Sequence, residues 1–327
     1  MSSAVFLKLL AIFATIAIGW AAGRTRPFAG AEVARTVSNT TFFVFVPALL
    51  FRATARIDLA AMPWRALDVF FVPVVGWMLL VYALQRRRRD PRDVARPGVR
   101  AITVAFGNTA QFGIPVATAL FGEAGLQLHL AIISLHALIL LSVLTLLVER
   151  DLAQAAAHGG GRPAQPLRTL AMTARNTVIH PVVLPVLAGL AWNLARLPLP
   201  GPLDEVLVML GSAVVPLSLV AIGLSLGHYG LRGAAGTAVA MAAAKLLVLP
   251  ALVFACGLVA GLRGLPLAVV VVASALPTGV NALLFAQRYR SGEGETTATI
   301  VLSTLAFAAS APLWLVLLQQ RFATMAP

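Results

Sequence analysis

The chain has 327 residues, of which 59% are hydrophobic and 11% are charged. A soluble domain carries about 45–50% apolar and about 25% charged residues, so this composition excludes a surface that faces water and predicts a membrane protein. The apolar residues come in long unbroken runs rather than in alternation, which excludes an outer-membrane barrel. Since a helix takes about 20 apolar residues to cross a bilayer, the length allows roughly ten spans and no sizeable soluble domain.

Apolar runs long enough to cross the bilayer follow one another along the whole chain. We therefore predict an all-α membrane protein with ten transmembrane helices. The second run is the least regular, because it begins with polar residues. The predicted spans are 4–22, 37–53, 64–85, 100–121, 126–148, 177–195, 204–226, 235–261, 266–287 and 296–318.

The net charge of +13 is explained by membrane topology rather than by nucleic acid. Lys and Arg accumulate in short loops on the cytoplasmic side of a membrane. Of the 23 arginines, 17 lie on one side of the predicted spans, and these include the run Arg86–Arg89. We place that side in the cytoplasm, which puts both termini outside it. The excess of arginine over lysine, with abundant alanine, is typical of a GC-rich bacterium, so the bacterial inner membrane is the predicted location.

The two halves of the chain look like copies of each other. Gly19 and Pro47 have counterparts in Gly189 and Pro216, at an offset of roughly 170 residues. Since each half holds five spans, an odd number, the copies enter the membrane from opposite sides, and this 5+5 inverted repeat is typical of secondary transporters. The predicted boundaries are 1–148 for the first repeat, 149–176 for a flexible cytoplasmic linker and 177–327 for the second repeat.

The fourth and ninth spans are interrupted near their middle. Gly107, Gly113 and Pro115 fall within the fourth span, and Pro277 and Gly279 fall within the ninth. A backbone group left unpaired in hydrocarbon costs several kcal/mol, so such breaks survive only where protein or a water-filled cavity surrounds them. Because proline is preferred at the first position of a helix, we predict that Pro115 and Pro277 each begin a second half-helix. Each half-helix would direct free N–H groups and about +0.5 of a charge toward the bilayer midplane.

Two such helix ends facing each other would form an anion site without a basic side chain. Asn108 and Asn281 add amides that can donate to a carboxylate. The alternative is that these glycines and prolines merely kink packed helices, as is common in membrane proteins. The predicted substrate-binding residues are Asn108, Gly113, Ile114, Pro115, Pro277, Thr278, Gly279 and Asn281.

Two ionisable residues occupy matching places in the third and eighth spans. Lys245 lies deep in the eighth span, and Asp68 lies in the third, nearer the outer interface. Ionisable residues within spans are functional candidates by default, so we predict that both serve charge or proton coupling. Should the repeat bring spans three and eight across each other, the two residues could pair or share a proton. Solvation by lipid headgroups is the alternative explanation for Asp68.

The sequence has no pattern that predicts catalysis or a cofactor. Gly223–Gly227 matches the nucleophile-elbow spacing, but no strand precedes it, so small-residue helix packing explains it better. Cys256 is the one cysteine, and there is no His-Glu-x-x-His motif or glycine-rich phosphate loop. We therefore expect a protein that is not an enzyme and that has no cofactor and no metal site.

Several motifs resemble those of the auxin efflux carrier family, which includes the plant PIN-FORMED carriers and bacterial malonate-type transporters. The resemblance covers nearly the whole chain, and the two interrupted motifs are specific in combination. The matching segments are Asn108-Thr109, Gly113-Ile114-Pro115 and Leu120–Gly122 in the fourth span, Leu276–Ala282 in the ninth, Val301–Thr304 and Pro312-Leu313 in the tenth, and Pro216-Leu217 in the seventh.

The resemblance implies a ten-span fold related to bile-acid carriers and sodium/proton antiporters. In that fold, spans four and nine cross at the substrate site, and spans one, two, six and seven form a scaffold that mediates homodimerisation. The family's crossover residues carry over to Asn108, Pro115, Pro277 and Asn281, and its third-span acid carries over to Asp68. The long cytoplasmic loop of many plant members is absent, which argues against auxin as the substrate and against plant-style control by phosphorylation.

These features together predict a secondary transporter for a small organic anion, such as a mono- or dicarboxylate. The anion would bind where spans four and nine cross, and an elevator-type movement of spans 3–5 and 8–10 against the scaffold would carry it over. A cation/proton antiporter is one alternative, and Asp68 is the only carboxylate placed to serve it. A passive channel or a receptor is the other. The expected partners are the anion, the lipid bilayer and a second copy of the chain, but not nucleic acid.

Overall fold

The computed structural model describes residues 3–28, 30–56, 63–87, 93–158, 183–228 and 235–323. Within these residues the regular elements are helices, and the one extended pairing is an isolated bridge between Gly107 and Thr278. The prediction of an all-α protein is confirmed for this part of the chain. The helices are α1 Ser3–Ala22, α2 Ala31–Thr40, α3 Val46–Ala55, α4 Trp64–Arg86, α5 Arg96–Ala105, α6 Ile114–His158, α7 Val183–Leu194, α8 Gly201–His228, α9 Ala235–Ala243, α10 Leu249–Val259, α11 Gly264–Ala275, α12 Val280–Tyr289 and α13 Glu293–Ala323.

Six helical stretches among the described residues are long and apolar enough to cross a bilayer. A helix rises about 1.5 Å per residue, so about 20 residues span a hydrocarbon core of about 30 Å. With three shorter apolar helices beside them, these stretches make the chain a multi-pass membrane protein. The six are Glu32–Ala55, Trp64–Arg86, Thr109–Ala155, Gly201–Leu224, Gly236–Val259 and Glu293–Gln319, and the shorter three are Leu10–Ala22, Leu184–Leu194 and Gly264–Ala275.

The longest of these stretches is divided at a glycine. Thr109–Ala155 has 47 residues, and it would measure about 70 Å as a straight rod, which is more than a bilayer accommodates. The helix is interrupted at Gly122, where φ is 66° and ψ is −158°. Glycine adopts this backbone conformation readily, whereas residues with a Cβ do not. The interruption falls between the predicted fourth and fifth spans.

The end of α6 corrects one predicted boundary. Residues 149–158 are helical, so the predicted linker 149–176 begins too early, and its remainder lies outside the described residues. The reason is a buried carboxylate in this last part of the helix. Asp151 accepts hydrogen bonds from Tyr82 Oη at 2.6 Å and Arg86 Nε at 2.9 Å, which hold the end of α6 against α4.

Three π-turns widen the apolar helices, and each one ends two residues before a proline. Proline has no N–H to donate to the i−4 carbonyl, and its ring clashes with that carbonyl in a regular α-helix. A locally wider turn relieves the clash without ending the helix. The turns are Thr41–Phe45 before Pro47, Thr109–Gly113 before Pro115 and Ala244–Val248 before Pro250.

The helices pack in two groups. The first group consists of α1, α2, α3, α7 and α8, in which α1 and α2 pack on α8 and α3 packs on both α7 and α8. The second group consists of α4–α6 and α9–α13 around a buried apolar cluster that includes Phe70, Met78, Ile102 and Leu249. Between the groups, α6 lies against α1, α7 and α8. The first group corresponds to the predicted spans one, two, six and seven.

Two glycines allow α1 and α8 to approach closely within the first group. A Cβ on Gly223 would lie 2.1 Å from the carbonyl oxygen of Ile16, and a Cβ on Gly19 would lie 2.4 Å from that of Val220. Both contacts are with backbone, which cannot move aside. Gly223 is therefore a packing residue, as the small-residue interpretation of the Gly223–Gly227 motif predicts.

Ion pairs fix the helices within each group. In the first group, Asp204 at the start of α8 pairs with two arginines of α3. In the second group, the pairs join α4 to α6, α5 to α13, and α12 to α6. No ion pair between described residues connects the two groups, so contacts between the groups are made by apolar and small residues. The pairs are Arg52 and Arg56 with Asp204, Arg86 with Asp151, Arg96 and Arg100 with Glu295, and Arg288 with Glu149.

Candidate substrate site at the crossing of two interrupted helices

The chain crosses itself where two helices end within the second group. Helix α5 ends at Ala105 and α11 ends at Ala275, and an extended segment follows each. The two segments run antiparallel: Asn108 N–H donates to the carbonyl oxygen of Pro277 at 2.8 Å, and Gly279 N–H donates to that of Phe106 at 2.9 Å. These bonds satisfy backbone groups that the interruptions would otherwise leave unpaired at membrane depth. The interruptions predicted from the sequence are thus present, and they meet as the family resemblance implies.

Gly279 makes the close approach of the two segments possible. A Cβ at this position would lie 2.8 Å from Gly107 O and 3.0 Å from Gly107 C, both of which are backbone atoms. Gly107 itself is in a less crowded position, because its nearest neighbours would lie 3.6 Å from an added Cβ. The close approach at the crossing therefore requires glycine at position 279, but not at position 107.

The second half of the first interrupted helix begins at Thr109, not at Pro115 as predicted. The Asn108 side-chain oxygen accepts a hydrogen bond from Gln111 N–H at 3.2 Å, so Asn108 is the N-cap of the π-turn Thr109–Gly113. Asparagine is a preferred N-cap because its oxygen satisfies a free N–H of the first turn. Pro115 lies one turn further on, where the wider turn accommodates its missing N–H.

The second interrupted helix resumes at Val280, not at Pro277 as predicted. Pro277 stays in the extended segment, where its carbonyl accepts the bond from Asn108, and Gly279 precedes the first turn of α12. No side chain of the described residues caps this end. The first N–H groups of α12 are therefore available to a ligand.

A cavity of about 670 Å³ lies beside the crossing. Both resumed helices present their N-terminal ends to it through Asn108, Thr109 and Asn281. The opposite wall comes from α2 and the following π-turn, and a third wall comes from α13. The lining residues from these two walls are Arg35, Ser38, Asn39, Phe42, Phe43, Thr297, Ile300, Val301 and Thr304.

Three of the eight predicted binding residues line this cavity: Asn108, Gly279 and Asn281. The other five do not line it, because all of them are buried in the packing behind the crossing. They are Gly113, Ile114, Pro115, Pro277 and Thr278.

Two of these buried residues, Thr278 and Gly113, contact neighbouring helices behind the crossing. Thr278 Oγ1 donates to the carbonyl oxygen of Thr103 at 3.0 Å, and Thr278 N–H donates to Ser303 Oγ at 3.1 Å. A Cβ on Gly113 would lie 2.3 Å from His129 Nε2, so this glycine makes room for the imidazole. These residues support the crossing and do not contact the cavity.

Lys245 is fully buried behind the crossing and does not line the cavity. Its Nζ donates to the carbonyl oxygen of Ser274 at 2.6 Å, and a Cβ on Gly107 would lie 3.6 Å from it. Ser274 is in the last turn of α11, where carbonyl groups lack partners within the helix and the helix dipole is negative. The ammonium group therefore satisfies the end of α11 beneath the two extended segments.

Asp68 does not reach the site. It lies in the first turns of α4, its side chain is exposed, and it does not line the cavity. No ion pair joins it to Lys245 or to another of the described residues, so the pairing considered for spans three and eight is absent from this conformation. The relative rotation of two helices, which sequence spacing does not determine, keeps the two charges apart.

Most lining residues are not among the predicted site residues, and two of them, His136 and Arg35, have basic side chains. His136 of α6 is buried beside the ring of Phe106, with 4.3 Å between ring centroids, and its Nδ1 lies 3.4 Å from Thr109 Oγ1. A lone histidine in an apolar span is usually a packing residue, so the sequence gives no signal for it. Arg35 lies on α2 and counts in the sequence only as one of the arginines that set topology.

The electrostatics of the cavity favour an anion. Among its described lining residues, Arg35 is the one charged side chain other than the titratable His136, and none is a carboxylate. Two helix N-termini add partial positive charge, each equivalent to about half an elementary charge. The arrangement can bind a small anion through backbone and side-chain amides without a metal ion.

The sequence matches the family described as membrane transport protein over residues 4–315. The chain belongs to this family. The auxin efflux carriers are members of it, so the resemblance found in the interrupted spans is confirmed. The family and its named members are transporters, which agrees with the expectation of a transporter rather than an enzyme.

Curated relatives of this membrane transport protein match it over nearly their whole length. An uncharacterised transporter of Methanothermobacter thermautotrophicus is 26% identical over 294 residues, which cover 88% of this chain and 90% of the relative. A putative malonate transporter of Rhizobium meliloti is 25% identical over 303 residues, covering 91% and 90%. The uncharacterised transporter YfdV of Escherichia coli K12 is 24% identical over 310 residues, covering 94% and 95%.

Proposed function

We propose that this membrane transport protein is a secondary transporter of a small organic anion, a mono- or dicarboxylate. The observation that carries the proposal is the charge of the cavity beside the crossing. Two helix N-termini and Arg35 face it, and its described lining residues include no carboxylate. A cation site would need at least one acid there, and Asp68, the only candidate from the sequence, lies elsewhere. This argues against the cation/proton antiporter.

The substrate carboxylate binds between the two resumed helices. The Asn281 side chain has no hydrogen-bond partner among the described residues and is free to donate. Asn108 uses its oxygen to cap the π-turn, so its NH₂ group remains as a donor. The free N–H groups at the start of α12 add further donors. A carboxylate with two oxygens can accept from both sides of the crossing at once.

The transport movement is a displacement of the second helix group against the first. In this proposal the chain has ten spans in a 5+5 inverted repeat, with spans one, two, six and seven as the scaffold and spans 3–5 and 8–10 as the transport part. Each ion pair between described residues lies within one group, which supports two bodies that move separately. The crossing belongs to the second group, so its displacement would carry the bound anion along.

The conformation described here opens toward the cytoplasm in this proposal. Arg35 and Gln287 line the cavity and lie next to loops that the distribution of arginine places on the cytoplasmic side. The protein would lie in a bacterial inner membrane with both termini on the other side. The first group would also form the homodimer contact that the family resemblance implies.

Lys245 contributes charge coupling in this proposal, and Asp68 does not. A fully buried ammonium group beneath the crossing adds positive potential where the anion binds. This charge would stabilise an anion in the site, because opposite charges attract each other more strongly in a low dielectric. Binding of the anion would then be coupled to the charge of Lys245.

Transport of malonate by the purified protein in proteoliposomes tests the proposal. The name of the Rhizobium relative makes malonate the first substrate to try, followed by propionate as a monocarboxylate. We expect saturable uptake of the labelled acid that is accelerated by unlabelled acid inside the vesicles, and we expect Asn281→Ala to lose it. Large single-channel currents would favour a passive channel, and proton-coupled cation exchange without carboxylate uptake would favour an antiporter; either result would overturn the proposal.

A further inference from the structure

One face of α2 and of the π-turn that continues it lines the cavity. Arg35, Ser38, Asn39 and Phe42 are spaced at intervals of three, one and three residues, which places them along one side of a helix. The Arg35 side chain is exposed and has no acidic partner among the described residues. By contrast, the arginines of α3 are both paired with Asp204. Arg35 is thus an unpaired cation that faces the space a ligand would occupy.

Arg35 stands away from the crossing, toward the mouth. Val46, at the start of α3, packs in one apolar cluster with Ala110 and Ile114 of the first resumed helix. The Phe42 end of the α2 face is therefore the end nearer the crossing. Phe42 lies seven positions after Arg35, which corresponds to a rise of about 10 Å along the helix axis. An arginine side chain that extends back into the cavity approaches the far end of a short dicarboxylate bound at the crossing.

Arg35 also belongs to a different body from the amides of the crossing. It lies in the first helix group, whereas Asn108 and Asn281 lie in the second. When the second group moves and carries its ligand away, Arg35 stays behind. Arg35 can therefore contact the ligand only in the conformation described here, before the second group has moved.

We propose that Arg35 selects dicarboxylates over monocarboxylates by binding the second carboxylate, and that it does so only on the side of the membrane to which this cavity opens. The inference rests on the proposed function, since it takes the first carboxylate to bind at the crossing. Arginine suits this role because its planar guanidinium group donates two parallel hydrogen bonds to a carboxylate and stays charged at every physiological pH.

Sided transport kinetics test the proposal. Malonate and propionate are presented in turn to each face of oriented proteoliposomes that contain the wild type, Arg35→Gln, Arg35→Lys or Arg24→Gln. Arg24 is the matched control, because it is an exposed arginine of the same predicted cytoplasmic region that stacks on Trp20 and does not line the cavity. Elution as a single species on size-exclusion chromatography checks that each variant is folded.

We expect Arg35→Gln to raise the KM for malonate roughly 10- to 100-fold on the cavity side, the loss typical of one charge-assisted bidentate contact. The KM for propionate should change less than about threefold, and the KM for malonate on the opposite face should stay at the wild-type value. Arg35→Lys should fall between the wild type and Arg35→Gln, and Arg24→Gln should match the wild type.

Three results would overturn the role of Arg35 while leaving the proposed function intact. The first is an unchanged KM for malonate in Arg35→Gln, the second is an equal loss for both acids, and the third is an equal loss on both faces. Failure of the proposed function has a different signature. In that case the wild-type protein itself takes up neither malonate nor propionate from either face, and the role of Arg35 falls with it.

Discussion

The backbone N–H of Asn108 donates to the carbonyl oxygen of Pro277 at 2.8 Å, and this bond ties the two interrupted helices together. Asn108 also caps the turn that follows it, so the same residue fixes the crossing and orients the helix end beside the cavity. The donors at the crossing are therefore held in place by backbone geometry before any ligand arrives. Such preorganisation lowers the cost of ordering the site on binding.

The two glycines of the crossing should respond differently to one added methyl group. We expect Gly279→Ala to destabilise the protein by about 1–3 kcal/mol, because the Cβ would press on the backbone of Gly107 at 2.8 Å. Gly107→Ala should be tolerated, since its neighbours lie at ordinary contact distance. Thermal unfolding in detergent, read by the fluorescence of the five tryptophans, measures both. Equal stability of the two variants would contradict the described crossing.

Replacing the two asparagines should affect carboxylate binding and thermal stability to different extents. Asn281→Ala should lose carboxylate binding with little change in thermal stability, because its side chain bonds to none of the described residues. Asn108→Ala should lose binding and also about 1 kcal/mol of stability, since it removes an N-cap. Asn108→Ser, which can still cap, should recover the stability but not the full affinity. Binding is read by malonate protection against thermal unfolding, and protection of Asn281→Ala equal to that of the wild type would count against the site.

Removing the buried charge of Lys245 should reduce transport without harming the fold. Lys245→Met keeps the length of the side chain and removes a buried ammonium group, but it also leaves the Ser274 carbonyl without its donor. The two effects oppose each other, so we expect stability to change by no more than about 1–3 kcal/mol. Transport should fall by at least about tenfold, because the positive potential beneath the crossing is lost. Asp68→Asn is the comparison, and it should transport like the wild type. Normal transport by Lys245→Met would show that the lysine only completes the end of α11.

Cross-linking can test whether the two helix groups move relative to each other. Phe13 of α1 and Phe307 of α13 belong to different groups, and their ring centroids are 6.5 Å apart. With Cys256 replaced by serine, cysteines at both positions bridged by a short thiol reagent should stop transport, and cleavage of the bridge should restore it. The control pair is Phe51 and Trp192, 5.9 Å apart within the first group. A bridge there should be harmless, and continued transport with the Phe13–Phe307 bridge would exclude the proposed movement.

The positions of the breaks could be predicted from the sequence, but the exact helix starts could not. Gly, Asn and Pro occur together only in the fourth and ninth spans at matching places, and both spans are interrupted there. Proline is the expected first residue of each resumed helix because it has no N–H group that would need an acceptor. The structure instead uses the Asn108 side chain as a cap and leaves Pro277 extended, since its carbonyl is needed as an acceptor. A propensity rule for one helix cannot anticipate a bond between two segments.

The lining of the cavity was harder to predict than its location. Thr278 and Ile114 are among the predicted substrate-binding residues but face the interior, because the side on which a residue lies depends on local turns such as the π-turn before Pro115. The charge pattern of the sequence identifies Arg35 as a topology signal only. A loop arginine and a cavity arginine look the same in a charge pattern, and only the position of α2 on the wall of the cavity distinguishes them.

The absence of ion pairs between the two groups, among the described residues, affects the kinetics of the proposed cycle. When one surface slides over another, dispersion contacts are lost and replaced a few at a time, and each has a small energy. An ion pair in a low dielectric must instead be separated as a whole, which costs much more free energy. The barrier for exchange between the inward- and outward-facing states should therefore be nearly independent of ionic strength. Salt would still screen the capture of an anion at the open mouth, since the Debye length shortens to about 8 Å in physiological buffer. Ionic strength should thus alter the rate of substrate entry and leave the rate of the carrier's reorientation unchanged.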